Sequence, residues 1–207
     1  YAQLGLFDEA ERWLAANRQP VSSPWRLSRW YEVMNAKQDV ARFDVEVAAF
    51  EATLTVEEPL TLMSRSLIGR HAVRTGDYER GINYLEPIFP EGWVMHNAPG
   101  GAHDMITTMH FYVVALQRLG REEKASAMLE NILQKQLDER SGRTHVLAQM
   151  LAREAVTYGL IGEQELALKR FEEAVEAGWR RYYSVLGNPC WDPLRGSELF
   201  ETLMAEV

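Results

Sequence analysis

The sequence is poor in three things: cysteine, long apolar runs and excess positive charge. Cys190 is the single cysteine among 207 residues, so neither an internal disulfide nor a cysteine-based zinc site can form. No apolar run approaches the roughly 20 residues that a membrane-spanning helix needs. The net charge is −8 and the pI is about 5.2, so the protein offers no broad cationic surface to a nucleic-acid backbone. We therefore expect a cytoplasmic protein that binds neither membranes nor nucleic acids.

The motifs of the common enzyme classes are also missing. The sequence contains no G-x-S-x-G, no P-loop, no H-E-x-x-H and no dinucleotide-binding fingerprint. Paired carboxylates such as Glu57-Glu58 and Glu172-Glu173 lie near predicted turns or on outward helix faces. Such runs are typical of solvated surface rather than of acid–base pairs. We expect no catalytic residue and no cofactor.

What the sequence does have is helical periodicity, clearest between Thr144 and Trp179. Apolar residues spaced three and four apart predict one helix before Gly162 and a second helix after it. Gly162 can adopt the left-handed conformation that closes a short turn. Small and bulky residues alternate on the two apolar stripes, so two antiparallel helices can pack closely. The stripes are Leu147, Leu151, Ala155 and Tyr158, followed by Ala167, Phe171, Ala174 and Val175.

This hairpin resembles the tetratricopeptide repeat, whose signature W-x2-L-G-x2-Y is followed by a turn glycine and then by A-x3-F and A. The matching residues are Ala155, Tyr158, Gly162, Ala167, Phe171 and Ala174. The same frame recurs around Gly5, Gly76 and Gly120, and a copy without the glycine has its turn at Gln38.

The resemblance implies an all-α fold, a right-handed α-solenoid in which residues 1–207 form one superhelical domain. Its helical hairpins are predicted at 1–20 (incomplete), 24–54, 61–89, 104–137 and 144–178, before a C-terminal capping segment at 179–207. Because Tyr1 falls inside a repeat, we expect this sequence to be a fragment of a longer protein.

The tail also carries a resemblance. It contains Asn188-Pro189, Asp192-Pro193-Leu194-Arg195 and Phe200. This run is similar to the segment that closes tetratricopeptide regions in bacterial regulatory proteins, which fuse the repeats to a winged-helix domain, a nucleotide cyclase or a protein kinase. The resemblance implies a regulatory role. Physically, such a tail covers the apolar face that the last hairpin would otherwise expose to water.

In this family the first helices of successive hairpins line a concave groove. Residues of these helices that lie off the packing stripe include several arginines, although the protein as a whole is acidic. A guanidinium can donate two parallel hydrogen bonds to a carboxylate or phosphate. We therefore predict a groove for an acidic peptide, a C-terminal carboxylate or a small anion, lined by Arg29, Arg70, Arg74, His110, Gln117, Arg118 and Gln149. The alternative is that these arginines pair with acidic neighbours or face water.

Residues 90–103 depart from the repeat pattern, and their glycine, proline and asparagine content predicts a loop. Trp93 and His96 make this loop a candidate lid over the groove, since long loops often carry function. The alternative is that Trp93 pins the loop onto a neighbouring hairpin. His103 and His110 are metal-ligand types, but helical spacing separates them by about 10 Å, so we expect no metal site.

The sequence thus favours a non-enzymatic protein–protein interaction, scaffold or sensor module. It is expected to bind a peptide segment in the groove and to regulate a fused or partner domain. One alternative is a sensor of a small anion closed in by the 90–103 loop. Another is an enzyme or accessory subunit that uses the histidines of that loop. An open groove favours the first hypothesis and an enclosed pocket the second. A homodimer formed through the ends or the convex surface stays an open alternative.

Overall fold

The computed structural model describes residues 6–17, 19–54, 60–90, 102–141 and 147–206. These residues form ten α-helices joined by turns and short 3₁₀ segments, and no β-strand occurs in those ranges. The predicted all-α fold class is confirmed for this part of the protein. None of the described helices combines the length and the apolarity that crossing a bilayer requires.

The helices follow one another with short connections. Their bounds are α1 Phe7–Ala16, α2 Pro24–Lys37, α3 Val40–Glu51, α4 Leu62–Arg74, α5 Tyr78–Leu85, α6 Ala102–Arg118, α7 Glu122–Ser141, α8 Ala148–Ile161, α9 Gln164–Glu176 and α10 Glu198–Ala205. The helix α6 begins two residues before the predicted start at 104, and α7 continues beyond the predicted end at 137. Gly5, Trp93 and His96 lie outside the described residues.

Left-handed residues close the turns between paired helices. Gly76, Gly120 and Gly162 have φ values of 84°, 70° and 100°, which confirms their predicted role as turn glycines. Gln38 occupies the corresponding position between α2 and α3 with φ 58°, and it is the one non-glycine residue with positive φ in the described ranges. The turn of this hairpin therefore keeps the left-handed backbone geometry although it lacks a glycine.

Consecutive helices pack as pairs, namely α2 with α3, α4 with α5, α6 with α7 and α8 with α9. In addition, the first helices of these pairs contact one another in succession, from α2 to α4, α6 and α8. The buried apolar residues form two clusters. One extends from Ala10 to Ile68 and the other from Val73 to Leu203, so α4 contributes to both.

Two glycines let α4 and α5 approach closely. A β-carbon built on Gly69 would lie 2.6 Å from the Leu85 side chain, and one built on Gly81 would lie 2.5 Å from Val73 Cγ2. Each glycine therefore receives a bulky side chain of the opposite helix. This reciprocal packing fixes the position of α4, the helix that carries Arg70 and Arg74.

The C-terminal tail has two parts. The first part is the helix α10, which packs on α9 and covers the end of the array. The Phe171 ring of α9 contacts Phe200 of α10 at a centroid distance of 5.2 Å, and it contacts Trp179 and Trp191 of the second part at 5.3 and 5.0 Å. The preceding residues 179–195, here called the strap, run back across the first helices: the 3₁₀ turn Pro189–Trp191 contacts α6 and α8, and the 3₁₀ turn Tyr182–Ser184 contacts α2.

Truncating Phe171 to alanine should lower the free energy of unfolding by about 3–5 kcal/mol, because the ring is fully buried and its loss leaves a cavity. Urea unfolding of the wild type and of Phe171→Ala measures the difference. Tyr182→Ala is the matched control, since this aromatic side chain is 40% exposed and its removal should change stability by about 0.5 kcal/mol or less. Equal losses in the two variants would contradict the assigned core.

Candidate functional site

A cavity of about 180 Å³ lies between the first helices and the strap. We call it the inner cavity. Each of α2, α4, α6 and α8 contributes side chains to its wall, and the strap contributes the remainder. The strap lies across these helices and partly encloses the space. The lining includes Tyr31, Glu32, Leu67, Arg70, Arg74, Thr107, His110, Phe111, Gln149, Ala152, Arg153, Val156, Trp179, Arg181, Cys190 and Trp191.

Four of the seven predicted groove residues line this cavity: Arg70, Arg74, His110 and Gln149. The other three are placed elsewhere. Gln117 Nε2 donates a hydrogen bond to the Leu160 carbonyl oxygen at 3.0 Å, which joins α6 to α8.

Arg118 and Arg29 pair with acidic neighbours, which is the alternative to their predicted place in the groove. The Arg118 guanidinium donates to Asp192 of the strap at 3.3 Å. Arg29 pairs with Glu32 at 3.2 Å and lines a second cavity, of about 240 Å³, beside the exposed rings of Trp13 and Trp25.

Arg70 has an unusual environment for a charged side chain. Its guanidinium carbon lies 4.7 Å from the centroid of the Tyr31 ring and 5.4 Å from that of Phe111, within the range of cation–π contact. Nε is buried and has no hydrogen-bond partner, and the guanidinium forms no ion pair with any side chain in the described ranges. Arg70 therefore brings a positive charge to the cavity wall without an ion-pair partner among the described side chains.

Arg74, one helical turn further along α4, is engaged with the strap. Its Nη2 donates a hydrogen bond to the Leu186 carbonyl oxygen. Burial lowers the pKa of Arg74 from its usual value, although the hydroxyl of Tyr31 opposes this shift. Because the ordinary pKa of a guanidinium is so high, Arg74 still carries its charge at neutral pH.

His110 is uncharged in this site. Burial, followed by the nearby charge of Arg153, lowers its pKa to about 3. The Thr157 hydroxyl donates to the Arg153 carbonyl oxygen at 3.0 Å, so His110 Nε2, 2.8 Å from that hydroxyl, is the donor in their hydrogen bond. Among the lining residues that the structure describes, the positive charge thus comes from arginines, and Glu32 is the acidic one.

Backbone carbonyl groups hold the strap in place. Gln38 Nε2 donates to the Leu186 carbonyl oxygen at 3.2 Å, alongside Arg74. Arg195 donates to the carbonyl oxygens of Val185 and Asn188 at 2.7 and 3.1 Å. The hairpin of α2 and α3 and the tail are therefore joined although 148 residues separate Gln38 from Leu186.

Sequence reasoning missed the contribution of the strap and of the two rings around Arg70. Periodicity assigns Tyr31 to the apolar stripe of its helix and gives Phe111 no role. The tail is predicted to cap the last hairpin, with partner binding as the alternative, and neither prediction places it over the first helices. One signal was present in the sequence: Trp179 and Trp191 lie between Gly178 and Gly196, and glycine is typical of positions where the chain turns sharply. In the structure both glycines have positive φ.

Replacing Gly187 by alanine should loosen the strap. Its φ is 58°, and an added β-carbon would lie 2.6 Å from Gln38 Oε1 and 3.1 Å from Arg74 Nη2, the two side chains that bind Leu186. Cys190 is buried in the strap and is the single thiol of the protein, so its rate of reaction with a thiol reagent reports strap opening. We expect Gly187→Ala to react about fivefold faster for each kcal/mol by which the strap contacts weaken.

Gly196→Ala is the control for this experiment. Its φ of 82° carries the same left-handed strain, but no atom lies within 4 Å of the added carbon. It should leave the Cys190 rate close to that of the wild type. The same rate in all three proteins would show that Gly187 does not hold the strap.

A second prediction concerns pH. Because the folded-state pKa of His110 is about 3 and its unfolded value is 6.5, the unfolded state binds one more proton between these limits. Stability should therefore fall as pH falls through this window, by about 1.4 kcal/mol per pH unit from this group. Urea unfolding at several pH values should show a shallower slope for His110→Gln than for the wild type. Parallel slopes would contradict a neutral His110.

The described residues do not offer an evident metal site, since no three His, Cys, Asp or Glu side chains among them come together as ligands. The inner cavity instead presents guanidinium groups, aromatic rings and hydroxyls, which suit an anionic ligand. Comparison of the sequence and the structure with protein-family models, with curated proteins and with solved structures found no match.

Proposed function

We propose that this protein is a non-enzymatic sensor module that binds a small anionic ligand in the inner cavity. The module is a right-handed solenoid of tetratricopeptide-like hairpins, with the inner cavity on its concave side. The succession of contacts from α2 through α4 and α6 to α8 supports this arrangement. Ligand binding regulates a fused or partner domain, as the resemblance of the tail implies.

The observation that carries this proposal is the unbalanced charge of Arg70. Its guanidinium lies between two aromatic rings, lacks an ion-pair partner in the described ranges and borders a cavity large enough for a small molecule. A partly desolvated cation gains more from an incoming anion than an exposed one does, because water screens the interaction less. The strap partly encloses this space, which favours a small ligand over a long peptide.

A second candidate function is peptide binding, and it rests on the way the strap is bound. Arg74 and Gln38 already hold a backbone carbonyl of a turn in the strap, so the same surface can hold an acidic peptide or a C-terminal carboxylate after the strap leaves. The two candidate functions predict opposite effects of Gly187→Ala on ligand affinity. A loosened strap should weaken a small ligand that it encloses and strengthen a peptide that must displace it.

Thermal unfolding tests the anion site. Acetate, benzoate, phosphate and sulfate are each added at the same ionic strength, with chloride as the reference. At a hundredfold excess over its dissociation constant, a bound anion stabilises the protein by about 2.7 kcal/mol, or a rise of about 5–10 °C in Tm. Arg70→Gln should remove that rise, because a neutral amide does not balance the charge of the anion.

Arg65→Gln is the matched control, since Arg65 belongs to the same helix but does not line the inner cavity. It should keep the full rise. If no anion raises the Tm of the wild type above chloride, or if Arg70→Gln retains the whole effect, the anion-binding function is wrong.

A further inference from the structure

We propose that the ligand of the inner cavity is a small monocarboxylic acid with a flat apolar body, and that its carboxylate binds edge-on to Arg70. This inference rests on the anion-binding function proposed above and specifies its ligand. Three features of the cavity carry it: the way Arg70 is stacked, the engagement of the other cations and the apolar part of the wall.

Stacking determines how Arg70 can be approached. Tyr31 belongs to α2 and Phe111 to α6, and α4 contacts both of these helices, so the two rings reach the guanidinium from different neighbours. Rings stacked over a guanidinium occupy its faces and leave its N–H edge open. A carboxylate matches that edge with two parallel hydrogen bonds in the guanidinium plane. The body of the ligand can then lie against the rings of Tyr31 and Phe111, which favours a flat molecule.

The other cations near the cavity differ from Arg70 in their hydrogen bonds. Arg74 is bound to the Leu186 carbonyl oxygen, and Arg181 Nε donates to the Tyr183 hydroxyl at 3.2 Å. A hydrogen bond to a neutral oxygen leaves a guanidinium charged, so these arginines also favour an anion. Arg70 Nε has no partner, and the Arg70 guanidinium takes part in no ion pair in the described ranges, so its N–H edge is open. One open edge matches one carboxylate.

The rest of the wall is mixed, with polar side chains such as Thr107 and Gln149, and its apolar part accounts for the apolar body of the ligand. Leu67, Ala152 and Val156 line the cavity together with the rings of Trp179 and Trp191. A small apolar group enters such surroundings more readily than a polar one. The volume of about 180 Å³ is close to the roughly 150 Å³ of an engineered cavity that binds benzene. A single ring or a short branched hydrocarbon attached to the carboxylate is the size that fits.

Isothermal titration of the 207-residue protein with four probes tests the assignment. Benzoate carries both features, acetate has the carboxylate without the body, benzyl alcohol has the body without the charge, and inorganic phosphate has the charge of a dianion. We expect benzoate to bind at least tenfold more tightly than each of the other three. We also expect Arg70→Gln to weaken benzoate at least tenfold, whereas Arg65→Gln leaves it unchanged.

Arg70→Lys separates edge-on binding from simple charge attraction. Lysine keeps the positive charge but has neither the planar fork nor the stacking surface of arginine. A loss of benzoate affinity close to that of Arg70→Gln supports edge-on binding, and full retention in Arg70→Lys overturns it. Far-ultraviolet circular dichroism and the Tm of each variant establish that it is folded before titration.

The remaining outcomes distinguish this inference from the function on which it rests. Phosphate binding that exceeds benzoate binding and depends on Arg70 would overturn the monocarboxylate and leave the anion site standing. If acetate bound as tightly as benzoate, the proposal that the ligand has an apolar body would be wrong. If benzyl alcohol bound as tightly as benzoate, the proposal that it has a carboxylate would be wrong. If none of the anions binds in an Arg70-dependent manner, the ligand and the anion site both fail.

Discussion

The position of α4 depends on reciprocal packing against α5, where Gly69 accepts Leu85 and Gly81 accepts Val73. The fit is so close that a β-carbon on either glycine would overlap a neighbour. From this fixed base, α4 carries Arg70 into the space between Tyr31 and Phe111 and carries Arg74 to the strap. The apolar contacts of one hairpin therefore place the two cations that matter most for the inner cavity, and α4 contributes buried residues to both core clusters.

The strap changes how the array holds together. In a simple stack of repeats, each unit contacts its neighbours alone, and stability is close to a sum of local terms. Here the bonds from Gln38 and Arg74 to Leu186 tie the hairpins of α2 and α4 to a segment that follows the last hairpin. A ring contact between Phe7 and Tyr183, with centroids 6.2 Å apart, extends the tie to α1. Opening either end therefore also disturbs the other.

Local patterns in the sequence predict the parts of the structure that local forces determine. Apolar spacing locates the helix pairs, and Gly76, Gly120 and Gly162 locate their turns. Even the copy without a glycine is recognisable, because an apolar stripe lies on each side of Gln38. The stripes are Leu27, Trp30, Tyr31 and Met34 before it and Phe43, Val47 and Phe50 after it. Helical position also identifies Arg70 and Arg74 as residues that leave the packing stripe.

The cavity itself could not be derived in this way. A helical stripe shows which residues avoid the core, but it does not show which of them another segment will cover. Helical position predicts Arg118 in the groove, whereas Asp192 of the strap binds it. It predicts Gln117 there too, whereas the Leu160 carbonyl accepts its hydrogen bond. These contacts join residues far apart in the sequence, and the strap has no helical periodicity from which its path could be predicted.

The strap has a further consequence for how such a protein can change over evolutionary time. An array of units that meet only their neighbours can gain or lose a unit and remain folded. In this protein, a segment of fixed length must reach from α9 to the turn at Gln38 and to Arg74. An inserted hairpin would carry Leu186 away from both anchors by the thickness of a helix layer, about 8–10 Å. The number of hairpins and the length of the tail are therefore bound to vary together.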